Sequence, residues 1–164
     1  MIRQNYRVIF RLIFASIWAI DAYLKWVCVY CGLNLADRIH DASLQPNPSI
    51  VTHWIVFWDR MASSDPNFTL QIAILETLIT LFLFLGFFTS PISAFGIVFS
   101  IIIWSTAENF GGILQQGAPD IGASPLYTVI FVMLIITGAG RQKSIDVWLS
   151  KKIRSLSDDA ESIL

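Results

Sequence analysis

Glu76 is the only ionisable side chain in the forty residues from Phe68 to Ala107. A carboxylate at membrane depth costs roughly 2.5–3.5 kcal/mol on insertion scales, so a chain that keeps one there has a use for it. Asp21, Lys25 and Glu108 also lie in or beside apolar stretches. Asp21, Lys25 and Cys28 fall on one helical stripe at i, i+4 and i+7. An acid four residues before a base is the favourable order for a pair. Three readings of that stripe stay open: a self-neutralised ion pair facing other helices, a proton or anion site anchored by Lys25, and a Lys25 that snorkels to the interface. Glu76 divides likewise between hydrogen-bonded helix glue and ligand or proton work.

Cys28-Val29-Tyr30-Cys31 is a C-x-x-C at the outer end of the first apolar stretch. On an oxidising face it would exchange with a quinone or a partner thiol, close as a passive disulfide, or remain two ordinary thiols. Its place at a helix C-terminus counts against a stabilised thiolate. His40 and His53 stand alone, outside the apolar stretches. No metal site is expected from them, and with no haem ligands within the spans a transmembrane di-haem cytochrome is excluded. No phosphate loop, hydrolase elbow or nucleic-acid face is present, and a net charge of −1 gives no bulk attraction to nucleic acid.

These residues must be positioned by membrane helices. Of 164 residues 55% are hydrophobic and only 14% charged, against about 25% charged in a soluble domain. The expectation is all-α: one domain over 1–164, a polytopic membrane four-helix bundle. The spans are expected at Val8–Val29, Phe68–Phe88, Pro91–Asn109 and Pro125–Gly138. Gly86 and Thr89-Ser90-Pro91 break the long apolar segment into a hairpin, and Gly111-Gly112 ends the third span. The basic start followed by an apolar run resembles a signal peptide. The run lacks a small-residue cleavage site and carries Asp21 and Lys25, so it is read as a retained span. Arg3, Arg7 and Arg11 flank the start; Arg141, Lys143, Lys151, Lys152 and Arg154 follow the last span. The 31–67 loop has only Arg38 and Arg60, and the 110–124 loop has no Lys or Arg. The positive-inside rule therefore places both termini in the cytoplasm and both longer loops outside the cell (inner or plasma) membrane.

Within the first outer loop, Ser49 is a plausible cap for an amphipathic surface helix reaching Met61. Its apolar stripe is Ile50, Trp54, Phe57, Trp58 and Met61. Ile145, Trp148, Leu149, Ile153 and Leu156 repeat the device as a cytoplasmic interfacial tail helix. At a rise of ~1.5 Å per residue, Asp21 lies ~20 Å and Lys25 ~26 Å up the first span, Glu76 ~12 Å below the outer end of the second, and Glu108 ~26 Å up the third. Asp21, Lys25, Glu76, Trp104 and Glu108, with Ser100, Thr77 and Thr80 nearby, are thus expected to gather in one outward-facing polar pocket beneath the surface helix. Lys25, Glu76 and Asp21 are the candidate catalytic groups. Lys25, Trp104 and Glu108 are the candidates for substrate binding.

Several of these residues carry a family resemblance. Arg11, then a span of small residues ending in Lys25-Trp26, resembles the opening of the DoxX-like membrane proteins. Leu75-Glu76, Leu85-Gly86 and Thr89 resemble their second span. Trp104, Phe110-Gly111-Gly112, Asp120, Gly138-Ala139-Gly140 and Ser144-Ile145-Asp146 resemble the DoxD subgroup, the small subunit of thiosulfate:quinone oxidoreductase. The resemblance covers about 11–146. It implies a membrane four-helix bundle, quinone as cofactor or acceptor, a second protein subunit, and a part in passing electrons from thiosulfate to quinone. The threonine at 89 lacks the basic residue that often follows it in the family, and the outer loop with its C-x-x-C has no counterpart there. Two other classes stay open. One is a non-catalytic auxiliary subunit of a larger membrane electron-transfer complex. The other is a small-molecule or lipid transporter using the same pocket.

Overall fold

A computed structural model describes residues 2–32, 34–114 and 120–139, with side chains from Tyr6 onward. Among the described residues the chain is all-α, with six helices and no strand. They are α1 (Ile2–Cys31), α2 (Leu35–Ser43), α3 (Ser49–Ser64), α4 (Phe68–Leu85), α5 (Thr89–Ser105) and α6 (Ser124–Thr137). A short 3-10 turn, Asn109–Gly112, lies between the last two. Residues 6–31 of α1 and all of α4 are long and apolar enough to cross a membrane, while α5 and α6 are shorter apolar helices of 17 and 14 residues. The expected tail helix lies outside the described residues.

α1 packs mainly along α4, and α5 along α6. Between the pairs sits one apolar core of Phe14, Ala15, Trp18, Ile79, Leu83, Phe99, Phe131 and Leu134. Its centre is aromatic. The Phe14 and Phe131 rings meet edge-on at 4.8 Å, and Trp18 lies 5.0 Å from both Phe131 and Tyr127. Such edge-to-face pairs add about 0.5–1.5 kcal/mol beyond the area they bury.

The hairpin expected at Gly86 is present, with α4 ending there in a left-handed cap. Several boundaries move. α4 stops at Leu85 rather than Phe88, and α5 begins at Thr89 rather than Pro91. More consequentially, α5 stops at Ser105, so Glu108 lies beyond its end and not on its face. The helix breaks at Thr106, whose backbone (φ −115°, ψ −83°) is not helical, and the turn beyond holds Asn109 and Phe110 in the left-handed region (φ 46° and 58°). Arg11, expected as an inner-surface charge, is 2% exposed and donates from Nη1 to the Ala139 carbonyl at 3.3 Å. That carbonyl lies just past α6, where the helix dipole favours a cation.

The 31–67 loop holds two helices rather than one. Leu35, Ile39 and Ala42 of α2 face Ile55 and Ala62 of α3 in a separate core that also touches Phe68, Ile72, Ile103 and Ala107. α2 was missed by sequence: three buried positions over nine polar-rich residues make a weak periodic signal. Ser49 is the first residue of α3 and not its cap. Pro48 occupies the cap position with an extended backbone, and no side chain caps the helix. Ile50, Phe57 and Met61 are exposed, as a membrane-surface stripe requires, and Trp54 is anchored by donating to Ser105 Oγ at 3.0 Å. Trp58 departs from the stripe and packs into the cap core. His40 and Asp59, 3.2 Å apart, join α2 to α3.

The cap is pinned to the bundle at Thr69 of α4, whose hydroxyl accepts from the buried Leu35 N–H at 3.0 Å. Thr69→Val leaves that donor unpaired, a loss of about 1–3 kcal/mol. Hydrogen exchange across α2 should accelerate while α1 and α4 stay protected. Unchanged exchange in α2 would show that the bond does not hold the cap.

Candidate functional site

Lys25 joins two carboxylates. Its Nζ lies 3.3 Å from Asp21 Oδ2, one turn earlier on α1, and 3.5 Å from Glu76 Oε1 on α4. The pairing expected between the first and second spans is therefore made on both sides at once. Burial is unequal: the side chains of Asp21, Lys25 and Glu76 are 27%, 17% and 1% exposed. The second Glu76 oxygen, Oε2, is buried and has no protein partner.

A cavity of about 110 Å³ opens beside this triad. Asp21, Lys25, Glu76, Ser100 and Glu108 line it, all of them expected there. Trp104 does not. Its indole N–H donates to the Ile121 carbonyl at 2.8 Å and its ring packs 5.1 Å from Phe110, because the early end of α5 brings the turn that follows it within reach. The aromatic wall is Trp18, Phe99 and Tyr127 instead. Trp18 was legible, since it precedes Asp21 and Lys25 on the same stripe by three and seven positions. Tyr127 had no partner pattern in the sequence to mark it. The cavity is covered by Leu35 and Arg38 of α2, not by α3.

Thr77 and Thr80 are absent from the lining. Thr77 Oγ1 accepts from Trp26 Nε1 at 2.9 Å, tying α1 to α4, and Thr80 donates to the Glu76 carbonyl at 2.9 Å. Cys28 is half-buried and Cys31 exposed, both as free thiols, and neither lines the cavity.

Glu108 has a positional role that the sequence concealed. Its Oε1 accepts from the Ser124 hydroxyl at 2.8 Å and its Oε2 from the Ser124 N–H at 3.3 Å, so it caps the start of α6 from outside that helix. Gly122 beside it has φ +85°, a left-handed conformation that favours glycine, and a Cβ there would also displace Glu108 Oε2. Asn47, between α2 and α3, donates to Asn109 Oδ1 at 2.9 Å and holds the strained turn from the other side.

The chemistry available is that of hydrogen bonds and protons. Besides Glu76 Oε2, the buried Trp18 Nε1 and Ser100 Oγ lack protein partners, and both residues line the cavity. Three carboxylates face two cations, Lys25 and Arg38, so the walls do not favour a dianion. The volume is below the roughly 150 Å³ of a cavity that takes benzene, so a substituted ring does not fit without widening. No family model matches this chain, and it has no significant match among curated proteins or solved structures.

Proposed function

We propose that this is a DoxX-like, four-span membrane protein that handles protons for a quinone-linked electron-transfer system, as the small subunit of thiosulfate:quinone oxidoreductase would. The reading is carried by Glu76. One of its oxygens is held by Lys25 and the other is buried without a protein partner, on a residue that lines a polar cavity and is the only charge of α4. Reducing a quinone takes two electrons and two protons. A carboxylate beside a fixed ammonium can give up a proton and be stabilised as the anion, with Lys25 as anchor and Asp21 as its counter-charge. In this reading the electrons come from a partner subunit, and quinone and thiosulfate react outside the small, mixed-charge cavity.

The membrane placement rests on the outward faces. Ile13, Ile17 and Leu24 of α1, Leu78 and Leu81 of α4, Phe95 and Val98 of α5, and Val129 and Ile136 of α6 are all exposed. A helix in water would carry charge there. α5 and α6 are shorter than the about 20 residues of a full crossing, a mismatch that flanking residues and local thinning absorb. The basic termini lie in the cytoplasm, with α2, α3 and the cavity mouth outside.

Glu76→Gln tests the role. Lys25 keeps Asp21, so the bundle persists, while thiosulfate-driven quinone reduction in membranes should fall about 100-fold, the scale of a lost general acid. An unchanged rate, with the chain still co-purifying with a larger complex, would replace this reading by that of an auxiliary subunit.

A further inference from the structure

We propose that a hydrated half-channel connects the outer aqueous phase to Glu76 and ends there. The use assigned to it rests on the proton-handling reading above; the route itself rests on the shape and polarity of the interior. Above the cavity lies a more open vestibule of about 300 Å³, lined by Arg38, Asp41, Ala42, Gln45, Ala107, Glu108 and Asn109. Arg38, Ala107 and Glu108 line both spaces and so form the neck between them. The inner cavity has room for several waters, and buried water settles where two to four polar partners are offered. Asp21, Lys25, Arg38 and Glu108 offer them along its walls, and Glu76, Ser100 and Trp18, 1%, 2% and 2% exposed, close its inner end.

The floor is closed. Below Trp18 and Glu76 the interior is filled by Phe14, Ile79, Leu83, Phe131 and Leu134, each no more than 1% exposed. These five side chains offer water no polar partner; the buried Thr80 hydroxyl at this level donates to the Glu76 carbonyl, and the buried Ser93 lies outside the cavity lining. The asymmetry gives Glu76 contact with one side only. The charged and titratable groups facing it are Asp21 and Lys25 from α1, Arg38 from α2, Glu108 from the outer turn and Tyr127 from α6. Opposite charges at the neck, Arg38 and Glu108, partly cancel each other's field. A proton from hydronium in the vestibule passes along the waters to the Glu76 carboxylate, giving the neutral acid. No electron moves in this step.

The test is thiol accessibility to a water-sized probe, Ag⁺, added outside intact cells. In the full chain with Cys28→Ser and Cys31→Ser, Ser100→Cys places a thiol in the cavity. Ser93→Cys places one on the same helix, at a position 0% exposed and outside the lining. As the S–Ag bond forms the sulfur releases its proton to water, and the loss of later labelling by a thiol dye reports it. Ser100→Cys should react at least about tenfold faster than Ser93→Cys. Ala107→Trp, which plugs the neck, should abolish the difference, and Ala107→Leu serves where the larger plug prevents folding. A Ser100→Cys as slow as Ser93→Cys, or one indifferent to the plug, would overturn the half-channel. A reactive Ser100→Cys alongside a fully active Glu76→Gln would leave the half-channel standing and remove the proton-handling role. An unreactive Ser100→Cys with an inactive Glu76→Gln would do the reverse.

Discussion

Lys25→Met should destabilise the bundle by about 3 kcal/mol, while Lys25→Met combined with Glu76→Gln should cost only about 1–2 kcal/mol. The single change strands a carboxylate that is 1% exposed, and Asp21 adds a second negative charge nearby. The double change removes the stranded charge and leaves an amide that needs only hydrogen bonds. The more exposed Asp21 loses little in either case, because water can solvate it. Detergent-solubilised protein unfolded by heat or denaturant gives the four stabilities of the cycle. Residues in contact couple by about 0.5–3 kcal/mol, and about 2 is expected here. Strictly additive effects would mean that Lys25 and Glu76 do not interact.

Gly96→Val should be as damaging, at about 3 kcal/mol, through packing rather than charge. A Cβ at Gly96 would collide with three carbons of the Phe131 ring. The ring has nowhere to go, since Phe14 meets it at 4.8 Å and Trp18 at 5.0 Å. α5 and α6 pack closely here because the residue at 96 is small. Phe131→Leu in the same chain should recover part of the loss. Because Trp18 also walls the cavity, Gly96→Val should shift tryptophan fluorescence as well as the melting temperature. A variant as stable as the parent would rule out the close contact.

Much of this was readable from residue types. Apolar runs of 15–20 residues with Gly86 between two of them specify helices and a hairpin whatever surrounds them, because backbone hydrogen bonds close within each segment. Asp21 and Lys25 at i, i+4 meet on any helix, and their meeting required no knowledge of the fold. That Glu76 would seek Lys25 followed from the shortage of other partners at its depth. The exposed stripe of Ile50, Phe57 and Met61 followed from helical period alone.

Other features depended on contacts between distant segments. α5 ends early at Thr106, and the turn beyond it at Asn109–Phe110 is clamped by Asn47, sixty-two residues away in sequence. That early end turned Trp104 toward Ile121 and made Glu108 the cap of α6. Helical period places residues around one axis but says nothing of how two axes are rotated against each other. It therefore could not choose Phe99 and Tyr127 over Trp104 as the wall, put Arg38 over the cavity, or bury Arg11. Composition and spacing by themselves determined the helices and the Asp21–Lys25 pair. Only tertiary packing decided which faces meet, and with them which polar atoms line the cavity beside Glu76.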